Sequence, residues 1–266
     1  MAILLADIGG THARFTWFKS GKITAPVCLN CDDFKNPIDL IRSVVQNQKL
    51  SGLFLSVAGP VQSGQVQWTN RPKWKLSEKQ LKKVFKIQNV ILINDMVAQG
   101  YGLKVRTNQK VLLANVGTGF GSCIILNGQV YPCEFGLVLD KENHKKEFLL
   151  SGKGIIRIYH ALGGNKKIVS AKTLYEMRQK DKKAKKAYEK FYQLWGKTVG
   201  NIATGLMLTD VCLWGGLVPK NKKDMQDFLK TFHDKKFPTF NQKISVTVIK
   251  EKSLAINGLA NLSTKK

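Results

Sequence analysis

Arginine is scarce in this chain: of 43 basic residues among 266, six are arginine, against 18 acidic residues and a formal net charge of +25. Arginine is the side chain whose planar fork matches phosphates and base edges, so a lysine excess without it argues against nucleic acid as the partner. The charge reads instead as a lysine-biased surface whose long-range field attracts anionic nucleotides. Cysteine is sparse too, with five residues scattered along the chain, and disulfide frameworks belong to shorter, denser sequences. Cys28 and Cys31 form one C-x-x-C without a second pair, a pattern that favours small buried residues over a metal or redox centre. No apolar run is long enough to span a bilayer. Asp7 stands where a signal peptide would be apolar, so the expected location is the cytoplasm, with no membrane partner. A Walker loop is excluded as well, because no Gly-Lys-Ser/Thr follows a glycine-rich turn. The remaining composition, 43% apolar and 23% charged, is that of a soluble globular chain able to form one large domain or two smaller ones.

Four segments with a common logic stand out against that background. In Ile3-Leu4-Leu5-Ala6-Asp7-Ile8-Gly9-Gly10-Thr11 an apolar strand runs into a carboxylate, two glycines and a hydroxyl. Paired glycines let the backbone turn sharply and bring its N–H groups to an anion, and Asp7 can hold a metal ion or its water. On its own the segment reads equally well as an ordinary Gly-Gly hairpin. Val90-Ile91-Leu92-Ile93 ends in Asn94-Asp95, which is either a site carboxylate or the cap of the helix that follows. Val111–Val116 leads into Gly117-Thr118-Gly119 and a returning strand, and Val211–Trp214 ends in Gly215-Gly216. Each segment is weak alone; two strand–glycine hairpins, a carboxylate between them and a late glycine pair are far more specific together.

Periodicity supplies the organisation. Strands are expected at 2–7, 14–18 and 23–27, a helix at 36–47, a strand at 52–57, a helix at 77–85 and a strand at 90–93. This alternation predicts a mixed α/β sheet. A second unit begins near 111, turns mostly helical after Ser151, and closes with a strand at 244–249 and a short helix. The lysine-rich stretch 178–190 fits the solvated face of a helix that buries Leu174, Met177, Ala184, Ala187, Tyr188, Phe191 and Leu194. No repeat is visible by identity, although two strand–glycine hairpins are what a duplicated fold would leave.

In the order and spacing of these motifs the chain resembles the bacterial glucokinase family, within the hexokinase, actin and Hsp70-like ATPase superfamily. The matching residues are Asp7–Arg14, Ala58-Gly59-Pro60, Thr69-Asn70 with Trp74, Asn94-Asp95, Gly117–Gly121, Pro132-Cys133-Glu134, Glu147–Gly154 with Tyr159, Gly200-Asn201 and Gly215–Lys220. The resemblance runs almost end to end. It implies a two-lobed actin-like (ribonuclease H-like) α/β fold with mixed sheets and a central cleft. One lobe would span 1–104 plus 253–266 and the other 105–252. It implies ATP-dependent phosphorylation of a hexose at its 6-hydroxyl, most simply glucose to glucose 6-phosphate, with ATP and Mg2+ as cofactors and a homodimer as a plausible assembly.

Residue by residue, the resemblance makes Asp95 the catalytic base, a role that suits a carboxylate within reach of a hydroxyl. Asn94, Asp95, Glu134, Glu147 and Asn70 become sugar ligands, since ionised carboxylates accept several hydroxyl donors. Gly9, Gly10, Thr11, Gly117, Thr118 and Gly119 become the phosphate cradle, Gly215 and Gly216 the floor beneath adenosine, and Asp7 acts on the magnesium shell through water. No zinc-binding cysteine motif of the related repressor-type kinases is present. Departures fall on the sugar side. Leu137 replaces a sugar-binding histidine, Phe135 replaces a glycine, and Asp140–Lys146 is shorter than the usual helix-bearing connection. Losing one hydrogen bond to a buried hydroxyl costs about 1–3 kcal/mol, and with the lysine excess this leaves two alternatives open, the first from Leu137 and Phe135 and the second from the charge. One is an impaired homologue that binds nucleotide or sugar without turnover; the other is a basic polyanion-binding protein on the same scaffold.

Overall fold

The computed structural model describes residues 2–68, 71–140, 142–232 and 244–264. In chain order the first elements are β1 (Ala2–Ile8), β2 (His12–Lys19), β3 (Lys22–Ile23), β4 (Val27–Asn30), α1 (Pro37–Val45) and β5 (Leu50–Val57). Next come β6 (Val61–Gln62), β7 (Gln65–Gln67), β8 (Lys75–Ser77), α2 (Glu78–Phe85), β9 (Val90–Asn94) and α3 (Asp95–Tyr101). After these follow β10 (Lys110–Val116), β11 (Phe120–Leu126), β12 (Gln129–Cys133), α4 (Gly152–Ala161), α5 (Ala171–Met177) and α6 (Lys182–Gly205). The last are β13 (Asp210–Trp214), α7 (Lys222–Phe232), β14 (Ser245–Val248) and α8 (Leu254–Thr264). They divide into two compact units, Met1–Lys104 with Glu251–Lys266, and Val105–Lys250.

In the first unit the main sheet has the order β3-β2-β1-β5-β9, with β4 also paired to β2. β1, β5 and β9 run parallel, and β2 returns antiparallel to β1. Successive side chains of a strand alternate between faces, so β1 sends Leu4, Ala6 and Ile8 to one core and Leu5 to another. The first core takes in α1 together with Trp68 and Trp74; the second is closed by Ala98 of α3 and by Ala255, Ile256 and Leu259 of α8. A small antiparallel sheet, β6-β7-β8, lies between β5 and α2 in the sequence and was not legible in the periodicity. The strand expected at 23–27 is two strands, β3 and β4. Pro26, between them, has no N–H to give a ladder.

The second unit repeats the same path. Its sheet order is β12-β11-β10-β13-β14, a meander followed by two parallel crossover strands, β13 and β14. Each sheet therefore reads third, second, first, then two later strands, which is the duplication that the paired hairpins foreshadow. The core packs Tyr188, Phe191, Tyr192 and Trp195 of α6 against Phe228 and Phe232 of α7. A Cβ at Gly196 would stand 2.0 Å from the Phe228 carbonyl, so that glycine sets how closely the two helices approach. The lysine-rich helix is interrupted: α5 ends at Met177, and Asp181 starts α6 by accepting from the Lys183 and Ala184 amides at 2.7 and 3.1 Å. Leu174 and Ala184 are buried as the spacing predicts, whereas Leu194 is half-buried and Trp195 takes the core position.

Candidate active site

Local rules place the first set of residues. β1 ends at Ile8, and Gly9 closes the turn into β2 by donating its N–H to the His12 carbonyl at 2.9 Å. Thr11 accepts from the Cys31 amide at 2.7 Å, which ties the hairpin to the segment after β4. Arg71 completes the brace. Its Nε donates to the Gly10 carbonyl at 2.7 Å, its guanidinium pairs with Asp32, and it lies over the Trp74 ring. No pattern in the sequence marks Arg71 for this work. Cys31 is buried and Cys28 exposed, and both are free thiols.

Asp7 sits at the carboxyl end of β1, in register with Ser56 of β5, whose hydroxyl donates to Asp7 Oδ1 at 2.8 Å. Burial raises the Asp7 pKa above the ordinary carboxylate value, while the Ser56 bond and the Arg14 charge work the other way. On the next parallel strand Val57 pairs with Asn94, so Asp95 emerges from the same carboxyl edge as Asp7. With β5 between them, β1 and β9 are two strand spacings apart, about 10 Å. That edge is where ligands meet parallel α/β sheets. Asn94 Oδ1 caps α3 by accepting from the Met96 and Val97 amides at 2.8 and 3.3 Å, and its Nδ2 donates to the Gly59 carbonyl at 3.1 Å. The capping reading therefore holds for Asn94, which also tethers the Ala58-Gly59-Pro60 loop. Asp95, half-buried, opens the helix and accepts the Met96 amide at 2.9 Å. Asn70, with Thr69, lies outside the described residues.

In the second unit β10 and β11 meet at the Gly117–Gly119 tip, where the Gly117 N–H donates to the Gly119 carbonyl at 3.0 Å. The first residue of α4 joins it: the Gly152 amide donates to the Gly117 carbonyl at 2.8 Å, and Ser151 caps the helix through the Gly154 amide. The tip thus lies at the positive end of a helix, an arrangement suited to anions. Glu147 leans on the same tip, since a Cβ at Gly119 would stand 2.9 Å from its Oε2. Partial burial and the Glu147 charge hold the Glu134 carboxyl above its usual range, so the two glutamates are close enough to feel each other. Phe135 packs on the core of this unit, so its bulk is turned inward. Leu137 is 45% exposed and offers no hydrogen bond in the position at issue. Asp140 accepts from the Glu142 and His144 amides.

A cavity of about 490 Å³ lies within this unit and brings Gly117 and Thr118 together with Gly152 and Gly216. Gly215 carries the bend with φ +109°, and a Cβ there would come within 2.4 Å of Asn115 Oδ1 and the Val116 carbonyl. Tyr175, Tyr188 and Tyr192 wall the cavity, and Lys153, Lys172 and Lys220 bring positive charge to it. Tyr188 is buried, as its helical spacing predicts, and the three lysines are exposed. Beneath the wall, buried Asp224 accepts from Arg178 at 2.7 Å, from the Tyr175 hydroxyl at 3.1 Å and from the Lys220 amide at 3.2 Å. Among the described residues no group of three or more His, Cys, Asp or Glu forms a metal cluster.

Comparisons with known proteins agree from end to end. The Glucokinase family model matches residues 4–131 and 137–266, with its one break over the stretch that holds Glu134 and Phe135. The glucokinase of Campylobacter jejuni subsp. doylei is 27% identical over 97% of this chain and 92% of its own length. That alignment spans 311 positions against 266 residues here, so the relative carries segments that this chain lacks. Among solved structures, glucokinase from an Antarctic psychrotroph superposes with a TM-score of 0.79 at 22% identity, covering 100% of this chain and 99% of that one. A ROK-family glucokinase from Streptomyces griseus, in complex with glucose and AMPPNP, gives 0.79 at 16% identity over the whole of both chains. The mixed α/β architecture is thus the actin-like fold of the sugar kinases, and the chain belongs to the glucokinase family.

Proposed function

We propose that this protein transfers the γ-phosphoryl group of ATP to the 6-hydroxyl of a hexose, with glucose the expected acceptor. The observation that carries this reading is the cavity in which Gly117, Thr118 and Gly216 meet, in a chain whose family is glucokinase. Its volume of about 490 Å³ falls in the usual range for small-ligand sites. The Streptomyces griseus relative, of the same fold, was solved with glucose and an ATP analogue.

Phosphoryl transfer needs positioned phosphates, donors for the developing charge and a base for the attacking hydroxyl. In this reading the Gly117–Gly119 and Gly9–Thr11 turns present backbone N–H groups to phosphate oxygens, and the start of α4 adds its dipole. Gly216 floors the adenosine. Asp95 takes the proton of the 6-hydroxyl as its oxygen attacks phosphorus, and Asn94, Glu134, Glu147 and Asn70 hold the sugar. Of Asn94, the capping role leaves at most one amide hydrogen for a hydroxyl. Asp7 suits magnesium: that ion is commonly held by one or two carboxylates plus substrate phosphates and water, and a carboxylate short of solvation gains most from a cation. Magnesium, when bound, neutralises charge on the phosphate oxygens. The cytoplasm is the proposed setting and a homodimer the proposed assembly.

A second reading, a homologue that binds nucleotide and sugar without turnover, is favoured by Leu137 and by the break in the family match over 132–136. Formation of hexose phosphate from ATP, Mg2+ and a panel of hexoses separates the two. Product from glucose supports the kinase. No product from any hexose, with nucleotide binding intact, supports the second reading.

A further inference from the structure

Which side chain meets the nucleotide's phosphates follows from what the second glycine tip has already spent, and this rests on the reading of the cavity as the nucleotide site. The Gly117 amide is committed to the Gly119 carbonyl at 3.0 Å, and the Gly152 amide to the Gly117 carbonyl at 2.8 Å. The Gly154 amide is committed to the Ser151 hydroxyl at 3.0 Å. Main-chain N–H groups at the start of α4 are therefore largely used in holding the tip to the helix. The amides of Thr118 and Gly119 remain at the tip itself. A nucleoside di- or triphosphate brings several negative charges to such a place, and they need further donors or cations beside them.

Lys153, the second residue of α4, lines the cavity beside Gly117 and Thr118. It directly follows Gly152, whose amide is bonded to the tip. Its ammonium carries three N–H donors on a flexible stem. The fold gains nothing from a cation at this position. Lys153 is exposed, and among the described residues it takes part in no ion pair. It stands in the first turn of a helix, where the macrodipole disfavours positive charge, and no acidic residue of that turn offsets it. The other two lysines of the cavity belong with Tyr175: Lys220 Nζ lies 4.3 Å from its ring centroid, and Lys172 is on the same helix, α5. No carboxylate lines the cavity, and Asp224 beneath its wall is paired with Arg178 at 2.7 Å. Of the three lysines, Lys153 is the one that the chain attaches to the tip.

We propose that Lys153 is a phosphate ligand of the nucleotide, its ammonium pairing with β- and γ-phosphate oxygens held at the Gly117–Gly119 tip. Calorimetric titration of the full chain with AMP, ADP and AMPPNP tests this on the wild type, Lys153→Met, Lys153→Arg and Lys172→Met. Methionine keeps an unbranched stem and the helix propensity while removing the charge. Lys153→Met should weaken ADP and AMPPNP by about tenfold or more, the scale of a charge-assisted contact, and AMP by less than about threefold. Lys153→Arg, which keeps the charge, should hold ADP within about threefold of the wild type. The Tm of Lys153→Met should stay level or rise, since a cation leaves the positive end of a helix. Where turnover occurs, KM for ATP should rise with KM for the hexose unchanged. Unchanged nucleotide affinities in Lys153→Met overturn the proposal. So does a loss equal for AMP, ADP and AMPPNP, or one matched in size and pattern by Lys172→Met, because it then reports the general field of the cavity. A wild type that binds none of the three overturns the proposal together with the nucleotide-site reading. Binding with the expected pattern but without hexose phosphate formation removes the kinase reading alone.

Discussion

Replacing Asp95 by Asn separates the proposed chemistry from the architecture of the helix that it opens. The carboxylate opens α3 and its Oδ1 accepts the Met96 amide at 2.9 Å, a bond that an asparagine oxygen can keep. What the fold loses is one negative charge in the first turn of a helix, a contribution of about 0.3–1 kcal/mol. In a chain of this size that is a fall of roughly 1–4 °C in Tm. What the reaction loses, on the proposed assignment, is its base. A positioned general base contributes about 10²–10⁴-fold, or roughly 3–5 kcal/mol of barrier. Stability should therefore change little while kcat falls at least about a hundredfold, with nucleotide affinity intact. Asn94→Ala should show the opposite balance. It removes the cap of α3, worth about 1 kcal/mol, and orphans the Gly59 carbonyl, worth about 1–3 kcal/mol. Thermal melts and a continuous hexose-phosphate assay on both variants give the comparison. An Asp95→Asn protein that keeps more than a tenth of wild-type kcat would refute the assignment of the base.

Three further expectations follow from the packing and the charges. Asp7→Asn should raise the denaturant midpoint at pH 7 while lowering activity: burial raises the folded pKa of Asp7, so its protonated form favours the fold, and that advantage is lost as pH rises through the folded pKa. At pH values below both pKa values the wild type and the variant should converge. Asp224→Ala should destabilise the second unit by about 3–5 kcal/mol in chemical denaturation, because it leaves the half-buried Arg178 without its counter-charge. Gly258→Ala should lower Tm, since a Cβ there would stand 1.8 Å from the Ala98 carbonyl and force α8 off α3; overpacking of this kind costs about 1–3 kcal/mol or more.

Most of what locates the site is written locally. A strand that ends in Gly-Gly or Gly-Thr-Gly announces its turn, and both hairpins form where the pattern puts them. Asn94-Asp95 is ambiguous because capping and ligand binding ask for the same residue types at a strand-to-helix junction, and here both residues accept amides at the start of α3. Arg71 was silent, because its partners Gly10 and Asp32 are far away along the chain and an isolated arginine has no periodicity. The break between α5 and α6 is hidden for a different reason. Helical spacing continues from Leu174 through Phe191 across the break at 178–181, so one amphipathic helix and two consecutive helices carry the same signal. Asp181 was the available clue, as a capping residue placed just before a helical run.

The place of α8 has a consequence for how the protein is made. Leu5 and Phe54, near the beginning of the chain, are covered by Ala255, Ile256 and Leu259, so that face of the leading sheet stays bare while some two hundred intervening residues are being synthesised. The trailing unit, Val105–Lys250, emerges as one continuous stretch and can finish folding first. Nascent chains stalled short of residue 254 should accordingly display an apolar surface that chaperones bind, and should shed them once that last helix clears the ribosome.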